Sequence, residues 1–262
     1  MKKLRFVKTH GGKFYLSKWI IEHFPENYQE MVYLEPFCSG ANVLLNKEPS
    51  KDEIINDLDP DIIVLFRIIR DQCTSFLRKV NKIKYKESNF KIALEKKGDD
   101  LCQAINEFVL RRMSRGGLKK TFAWSNRERG GQPGEINSWK TIIKLIPSIS
   151  ERLQKVIILN RSAIQLLKIF DEPQILTYCD PPYLPETRES PDTYQYEMSI
   201  DNHIELAEVL NNFKGKALIS GYPSRLYSRL YKNWTCEKKQ IANHASQQKV
   251  KPIKTELLWR NF

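Results

Sequence analysis

The run Gln174-Ile175-Leu176-Thr177-Tyr178-Cys179 reads as a buried strand, and it stops at Asp180-Pro181-Pro182-Tyr183. The two prolines hold the backbone at the strand's end in one conformation, because each ring fixes its own φ. Other short runs share the strand texture: Met31–Glu35, Glu53–Asp57, Lys155–Asn160 and Lys216–Ser220. Helical segments alternate with them. Ala41–Asn46 follows the first run, and Asp59–Asp71 sets Ile62, Leu65, Phe66 and Ile69 on one face. His203–Phe213 is a third helix, and Cys236–Ile241 with Thr255–Trp259 closes the chain as a hairpin or edge pair. Strands alternating with helices predict an α/β sheet.

Between about residues 75 and 150 the texture changes. Helical pieces such as Asp100–Arg112 lead into an irregular stretch from Ser114-Arg115-Gly116-Gly117 to Gly134 that is dense in Arg and Lys. Apolar periodicity is poor there, which reads as an insertion into the sheet domain.

The chain has 262 residues, 41% hydrophobic, enough for a core domain carrying a smaller insertion. Its net charge of +12 favours a polyanionic partner, since Lys and Arg displace condensed counterions from phosphates. Five widely spaced cysteines with no Cys-x-x-Cys pair argue against a disulfide framework or a zinc site. No apolar run has the length of a membrane span or a secretory signal, so a cytoplasmic protein without membrane or metal is expected.

Asp180-Pro181-Pro182-Tyr183 stands where ligands bind in open α/β sheets, beyond a strand's carboxyl end. Its chemistry suits methylation of an exocyclic amine such as adenine N6, whose lone pair is delocalised into the ring. The Asp180 carboxylate and the carbonyl between the prolines can each accept one N–H, directing the lone pair toward a methyl donor. Tyr183 offers a face on which an extruded base can stack. No strong base is needed, because the amine loses its proton after attack.

A nucleoside-binding turn is legible where the first strand runs into Glu35-Pro36-Phe37-Cys38-Ser39-Gly40-Ala41. Asp57, at the end of the next strand, can accept both ribose hydroxyls. His10-Gly11-Gly12-Lys13 is a small-residue turn whose cation can meet a carboxylate. Cys179 reads as a buried strand residue and not as a nucleophile.

Taken together, Gly11-Gly12-Lys13, Glu35-Pro36-Phe37, Asp57 and Asp180–Tyr183, in that order, resemble the Dam-like family of DNA adenine-N6 methyltransferases. The resemblance continues through Leu184–Arg188, Tyr194, His203, Ser220-Gly221-Tyr222 and Thr255–Asn261. Ser39 and Ala41 stand where the family has two glycines, and Thr9-His10 replaces a Trp-Ala pair. The resemblance implies a Rossmann-like methyltransferase sheet with helices on both faces, interrupted by a mainly helical or irregular target-recognition domain. The division it suggests is 1–74 and 153–262 for the two halves of the core, with 75–152 inserted. It implies S-adenosyl-L-methionine as cofactor, with His10, Gly11, Gly12, Lys13, Glu35, Phe37, Ser39, Gly40, Asp57 and Asp180 around it. Asp180, Pro181, Pro182 and Tyr183 would carry the catalysis.

Double-stranded DNA is the expected partner, methylated site-specifically by base flipping by a monomer acting alone or beside a separate restriction endonuclease. Lys8, Arg111, Arg112, Arg115, Lys119, Lys120, Trp124, Arg127 and Arg129 are the candidate contacts. Arg can straddle guanine O6 and N7, Lys suits phosphates, and an aromatic can fill the gap left by a flipped base. Cytosine N4, RNA adenine, or an inactive DNA-binding module are the alternatives; Asp180 favours adenine over cytosine.

Overall fold

The structure, a computed structural model, describes residues 4–125, 128–129, 131–188, 195–242 and 253–262. Strands β1 to β9 are Val32–Glu35, Asp52–Asn56, Glu128–Arg129, Gln132–Pro133, Val156–Leu159, Ile175–Cys179, Lys216–Gly221, Thr235–Ala242 and Ile253–Arg260. Helices α1 to α9 are Ser17–Ile21, Pro60–Asp71, Cys73–Val80, Glu87–Leu94, Asp100–Met113, Gly134–Leu153, Ala163–Ile169, Ile200–Asn211 and Arg225–Leu230. The chain divides into two compact units that interleave in sequence. One holds Met1–Glu22, Ser39–Lys47 and Asp59–Asn160, and the other His23–Cys38, Glu48–Leu58 and Arg161–Phe262.

The second unit carries strands in the order β2-β1-β6-β7-β9-β8. β1 pairs in parallel with β2 and β6, and β6 with β7, while β9 is antiparallel to β7 and β8. The chain runs from β1 to β2 on one side and later places β6 on the other, so β1 and β6 flank a topological switch point. The carboxyl ends of four parallel strands, at Glu35, Asn56, Cys179 and Gly221, therefore lie along one edge. β6 is buried at every residue, as expected for a strand covered on both faces.

In the first unit, Phe6, Phe66, Phe76, Phe108 and Trp139 form an aromatic core with ring centroids 5.2–5.7 Å apart. Arg67 and Arg70 of α2 donate to the β5 carbonyls of Ile158 and Val156 at 3.0 and 2.9 Å. Two expectations need correction. Gly134–Leu153 is a 20-residue helix burying Trp139, Ile142, Ile146, Ile149 and Leu153 on one side, so apolar periodicity is present. Pro147 inside it masks that helical signal in sequence. Ala41–Asn46 is a series of turns with only Leu44–Asn46 as a 3-10 helix, because Ser39 and Ala41 adopt φ of 45° and 48°.

His203 lies in the first turn of α8, behind a capping box made by Ser199 and Asn202, and is fully buried. Its Nδ1 is 2.9 Å from the Tyr227 hydroxyl. Burial, reinforced by Arg188, pushes the imidazole pKa down to about 4, while Glu197 pulls the other way. The unfolded chain takes up this proton near pH 6.5, so stability falls as pH drops from there toward 4, by up to about 3 kcal/mol. Urea unfolding at pH 7 and pH 5 should show about 2 kcal/mol of this loss, and His203→Gln should remove that share of it.

Candidate active site

The carboxyl edge of the parallel strands gathers the polar residues that an apolar sheet must otherwise exclude. Asp180 follows β6 directly and is half-buried. Ser220 Oγ, at the end of neighbouring β7, donates to Asp180 Oδ1 at 2.8 Å and lies 3.0 Å from the Tyr178 hydroxyl. Burial and the Asp180 charge push the Tyr178 pKa well up, so this phenol stays protonated.

Beyond the prolines, Tyr183 is 5% exposed. Its hydroxyl donates to the buried carboxylate of Glu256 on β9. Tyr222 meets its ring edge-on at 4.7 Å, with Lys254 Nζ 5.3 Å from the far tyrosine's centroid. Tyr183 is thus an anchored, packed ring. Cys179, inside the sheet, has its thiol pushed up to about 12, chiefly by burial, and is no nucleophile at neutral pH.

At the first turn, Glu35 is 2% exposed and accepts from Tyr33 at 2.9 Å. Asn56, fully buried at the end of β2, holds the surrounding backbone. Its Nδ2 donates to Pro36 O and Arg161 O, both at 2.9 Å, and its Oδ1 accepts from Arg161 N at 2.8 Å. The Cys38 amide donates back to Asn56 O at 2.9 Å. Phe37 and Asp57 are half-buried beside this clasp in sequence.

In the other unit, two glycine turns converge. A Cβ on Gly12 would lie 2.4 Å from Thr9 Oγ1 and 3.2 Å from Asn42 Nδ2, and one on Gly40 would meet the same two side chains. A side chain at Gly12 would force Thr9 aside, and one at Gly40 would press on both neighbours at 3.1–3.4 Å. Lys13 is buried and donates to Gly11 O at 2.9 Å, while His10 is exposed.

The basic candidates separate into two groups. Arg111 pairs with Glu107 and, at 2.8 Å, with Asp59, and Lys119 reaches both Glu107 oxygens at 3.2 Å. Arg112 is buried against Ser138, 2.7 Å from its hydroxyl, and burial next to Arg5 lowers its pKa to about 10. These three side chains sit inside the unit, because each emerges from a face of α5 or its following turn that is packed against neighbours. Arg115, Lys120 and Trp124 are exposed, the last at 50% and stacked on Phe122. Gly117, at φ 75°, brings this segment against Lys8, whose carbonyl oxygen would be 2.1 Å from a Cβ there. The Lys8 pKa is lowered to about 8 by burial first, then by Arg112 and Arg5. Arg127 and the Arg129 side chain lie outside the described residues, as does Tyr194.

A family profile described as D12 class N6 adenine-specific DNA methyltransferase matches residues 10–250. The chain belongs to that family. As a D12 class methyltransferase it transfers a methyl group from S-adenosylmethionine to adenine N6 in DNA. Among curated proteins it is similar to the DNA adenine methylase of Escherichia coli (strain K12), 24% identical over 245 residues that cover 88% of this chain and 85% of that one. The DNA adenine methylase of Haemophilus influenzae is 21% identical over 98% of this chain and 93% of its own. Among solved structures, a SAM-dependent methyltransferase from Agrobacterium tumefaciens gives a TM-score of 0.41 at 8% identity, over 95% of this chain and 61% of that chain. At that score the strand order, not the likeness, defines the fold.

The glycine turns of the D12 chain fit a polar ligand. Thr9 Oγ1 and Asn42 Oδ1 are buried there without a hydrogen-bond partner, at residues 7% and 5% exposed, and such atoms are costly unless something satisfies them. Among the described residues no cluster suits a metal ion and no helix is long and apolar enough to cross a membrane. Sequence reasoning missed Asn56, Ser220 and Glu256 as parts of the site. Their signal was a polar residue at the end of an otherwise apolar strand, and for Glu256 a lone carboxylate before Leu257-Leu258-Trp259.

Asn56→Ala removes three side-chain hydrogen bonds, leaving the buried Pro36 carbonyl and the part-buried Arg161 backbone groups without them, at a cost of about 2–4 kcal/mol. Denaturant unfolding should register that loss, and calorimetry should find cofactor binding weakened at least about tenfold, since the first turn loses its tie.

Proposed function

We propose that Asp180 and the Pro181 carbonyl accept the two N–H groups of the target adenine amine. The observation that carries this reading is the Asp180 carboxylate, held by Ser220 at the carboxyl end of β6 and followed by two prolines. Two acceptors turn the nitrogen lone pair out of conjugation and toward the sulfonium methyl, which S-adenosylmethionine supplies as an electrophile when bound. Positive charge builds on the amine as the methyl arrives, and the Asp180 carboxylate stabilises it. The amine proton then leaves to Asp180 or water.

The cofactor roles follow residue by residue from chemistry. Glu35 and Asp57 are acceptors for hydroxyl and ammonium groups, Phe37 is an apolar wall, and the turns at His10–Lys13 and Ser39–Gly40 let the backbone approach. An amine paired inside a duplex is shielded from in-line attack, so the target nucleotide is extruded before transfer. Residues 75–152 serve target recognition, with Arg115, Lys120 and Trp124 offered to double-stranded DNA from that stretch and Lys8 from before it. Arg111, Arg112 and Lys119 support them from inside, and a monomer suffices for this chemistry.

Incubation with unmethylated DNA and tritiated S-adenosylmethionine, followed by nucleoside chromatography, should place label in N6-methyladenine. Asp180→Ala should lower the rate by at least about a thousandfold. Label in N4-methylcytosine, or an undiminished Asp180→Ala, would sink the assignment.

Lys8 adds a pH dependence. With its pKa near 8, the side chain loses its charge as pH rises through that value, and DNA must restore the proton to keep the contact. Fluorescence anisotropy should show affinity falling between pH 7 and pH 9, and Lys8→Gln should be weaker at pH 7 with a flatter profile.

A further inference from the structure

We propose that Ser220 is a positioning residue for methyl transfer: tied to Tyr178 and donating to Asp180, it locks the Asp180 carboxylate in the orientation that receives the amine. This rests on the reading of Asp180 given above.

The geometry follows from strand register. β6 and β7 run in parallel with Tyr178 opposite Leu218 and Cys179 opposite Ile219. Side chains alternate along a strand, so Tyr178 and Asp180 share one face and Ser220 lies on that face of the next strand. Ser220 has one proton. Its bond to Asp180 Oδ1 is 2.8 Å, against 3.5 Å to Cys179 O, so the carboxylate takes it. The Tyr178 hydroxyl, 3.0 Å from Ser220 Oγ, must then be the donor of that pair. The chain of donation runs from Tyr178 to Ser220 to Asp180. Ser220 and Tyr178 are 0% and 1% exposed, so bulk water does not replace either hydroxyl when it is deleted.

A carboxylate side chain rotates easily, and methyl transfer needs the amine lone pair in line with the departing sulfur. An acceptor that swings loses that alignment even when both substrates remain bound. Ser220 acts through Asp180 and touches neither substrate, so its removal should appear in the chemical step and not in binding.

The test uses the full chain, unmethylated genomic DNA and S-adenosylmethionine, with Ser220→Ala, Tyr178→Phe, the double variant and Asp180→Ala. Single-turnover methylation should slow by about 10- to 100-fold in Ser220→Ala. Cofactor affinity by calorimetry and DNA affinity by anisotropy should stay within about twofold. Tyr178→Phe should slow the step less, and the double variant should be no slower than Ser220→Ala, because both act through one bond. Ser220→Cys, close in volume and a weak donor, should fall between wild type and Ser220→Ala, and it serves if the alanine variant does not fold. A wild-type rate in Ser220→Ala beside a dead Asp180→Ala would overturn the proposal and leave the catalytic reading standing. Multiplying effects in the double variant, or a loss that tracks cofactor affinity, would overturn it too. Activity in Asp180→Ala would instead remove the reading on which it rests.

Discussion

The pairing of β1 with β6 is the constraint from which the site follows. These strands are far apart in sequence, yet Val32, Tyr33 and Leu34 align with Ile175, Leu176 and Thr177, and the Thr177 hydroxyl donates to Leu34 O at 3.2 Å. Parallel alignment brings their carboxyl ends together, so Glu35 and the Asp180 motif emerge from one edge. β2 adds Asn56 and Asp57 on one side, and β7 adds Ser220 on the other. A slip of one residue would turn every side chain of β6 to the opposite face and take Tyr178 away from Ser220.

Buried charge is handled differently in the two units. In the sheet unit three carboxylates near the strand ends accept from neighbouring hydroxyls: Glu35 from Tyr33, Asp180 from Ser220 and Glu256 from Tyr183. Hydrogen bonds of this kind offset the desolvation of an anion while leaving its charge in place. That arrangement suits chemistry in which a positive charge passes from sulfur to nitrogen. In the helical unit the acids Glu107 and Asp59 are matched directly by Arg111 and Lys119. There the ions tie α5 to the start of α2, and their role is to hold helices.

Much of this was legible in residues. The strand runs, the helix after Asp59 and the Asp180–Tyr183 motif all occur where periodicity and turn chemistry predict them, within a residue or two at most ends. The family resemblance came from the order of the motifs. What misled were Pro147, which hides the helix Gly134–Leu153, and the small residues after Phe37, which suggest a helix where positive φ values make turns. Basic composition also says nothing about where a side chain points. Arg111, Arg112 and Lys119 look like their neighbours Arg115 and Lys120 in sequence, yet the first three are held by packing or ion pairs and only the last two are exposed.

The sequence by itself determined the class of sheet, the place of the Asp180–Tyr183 motif at a strand end, and the glycines where close neighbours leave little room for a side chain. Each of these is encoded locally, by a period of two, by proline geometry or by a missing Cβ. Only the tertiary structure decided that Ser220 holds Asp180 across 40 residues, that Glu256 receives Tyr183 across 73, and that Asn56 clasps Arg161 across 105. Those contacts depend on the register between strands, which the packing of both partners sets at once. No single segment carries that information, so no reading of one segment could supply it.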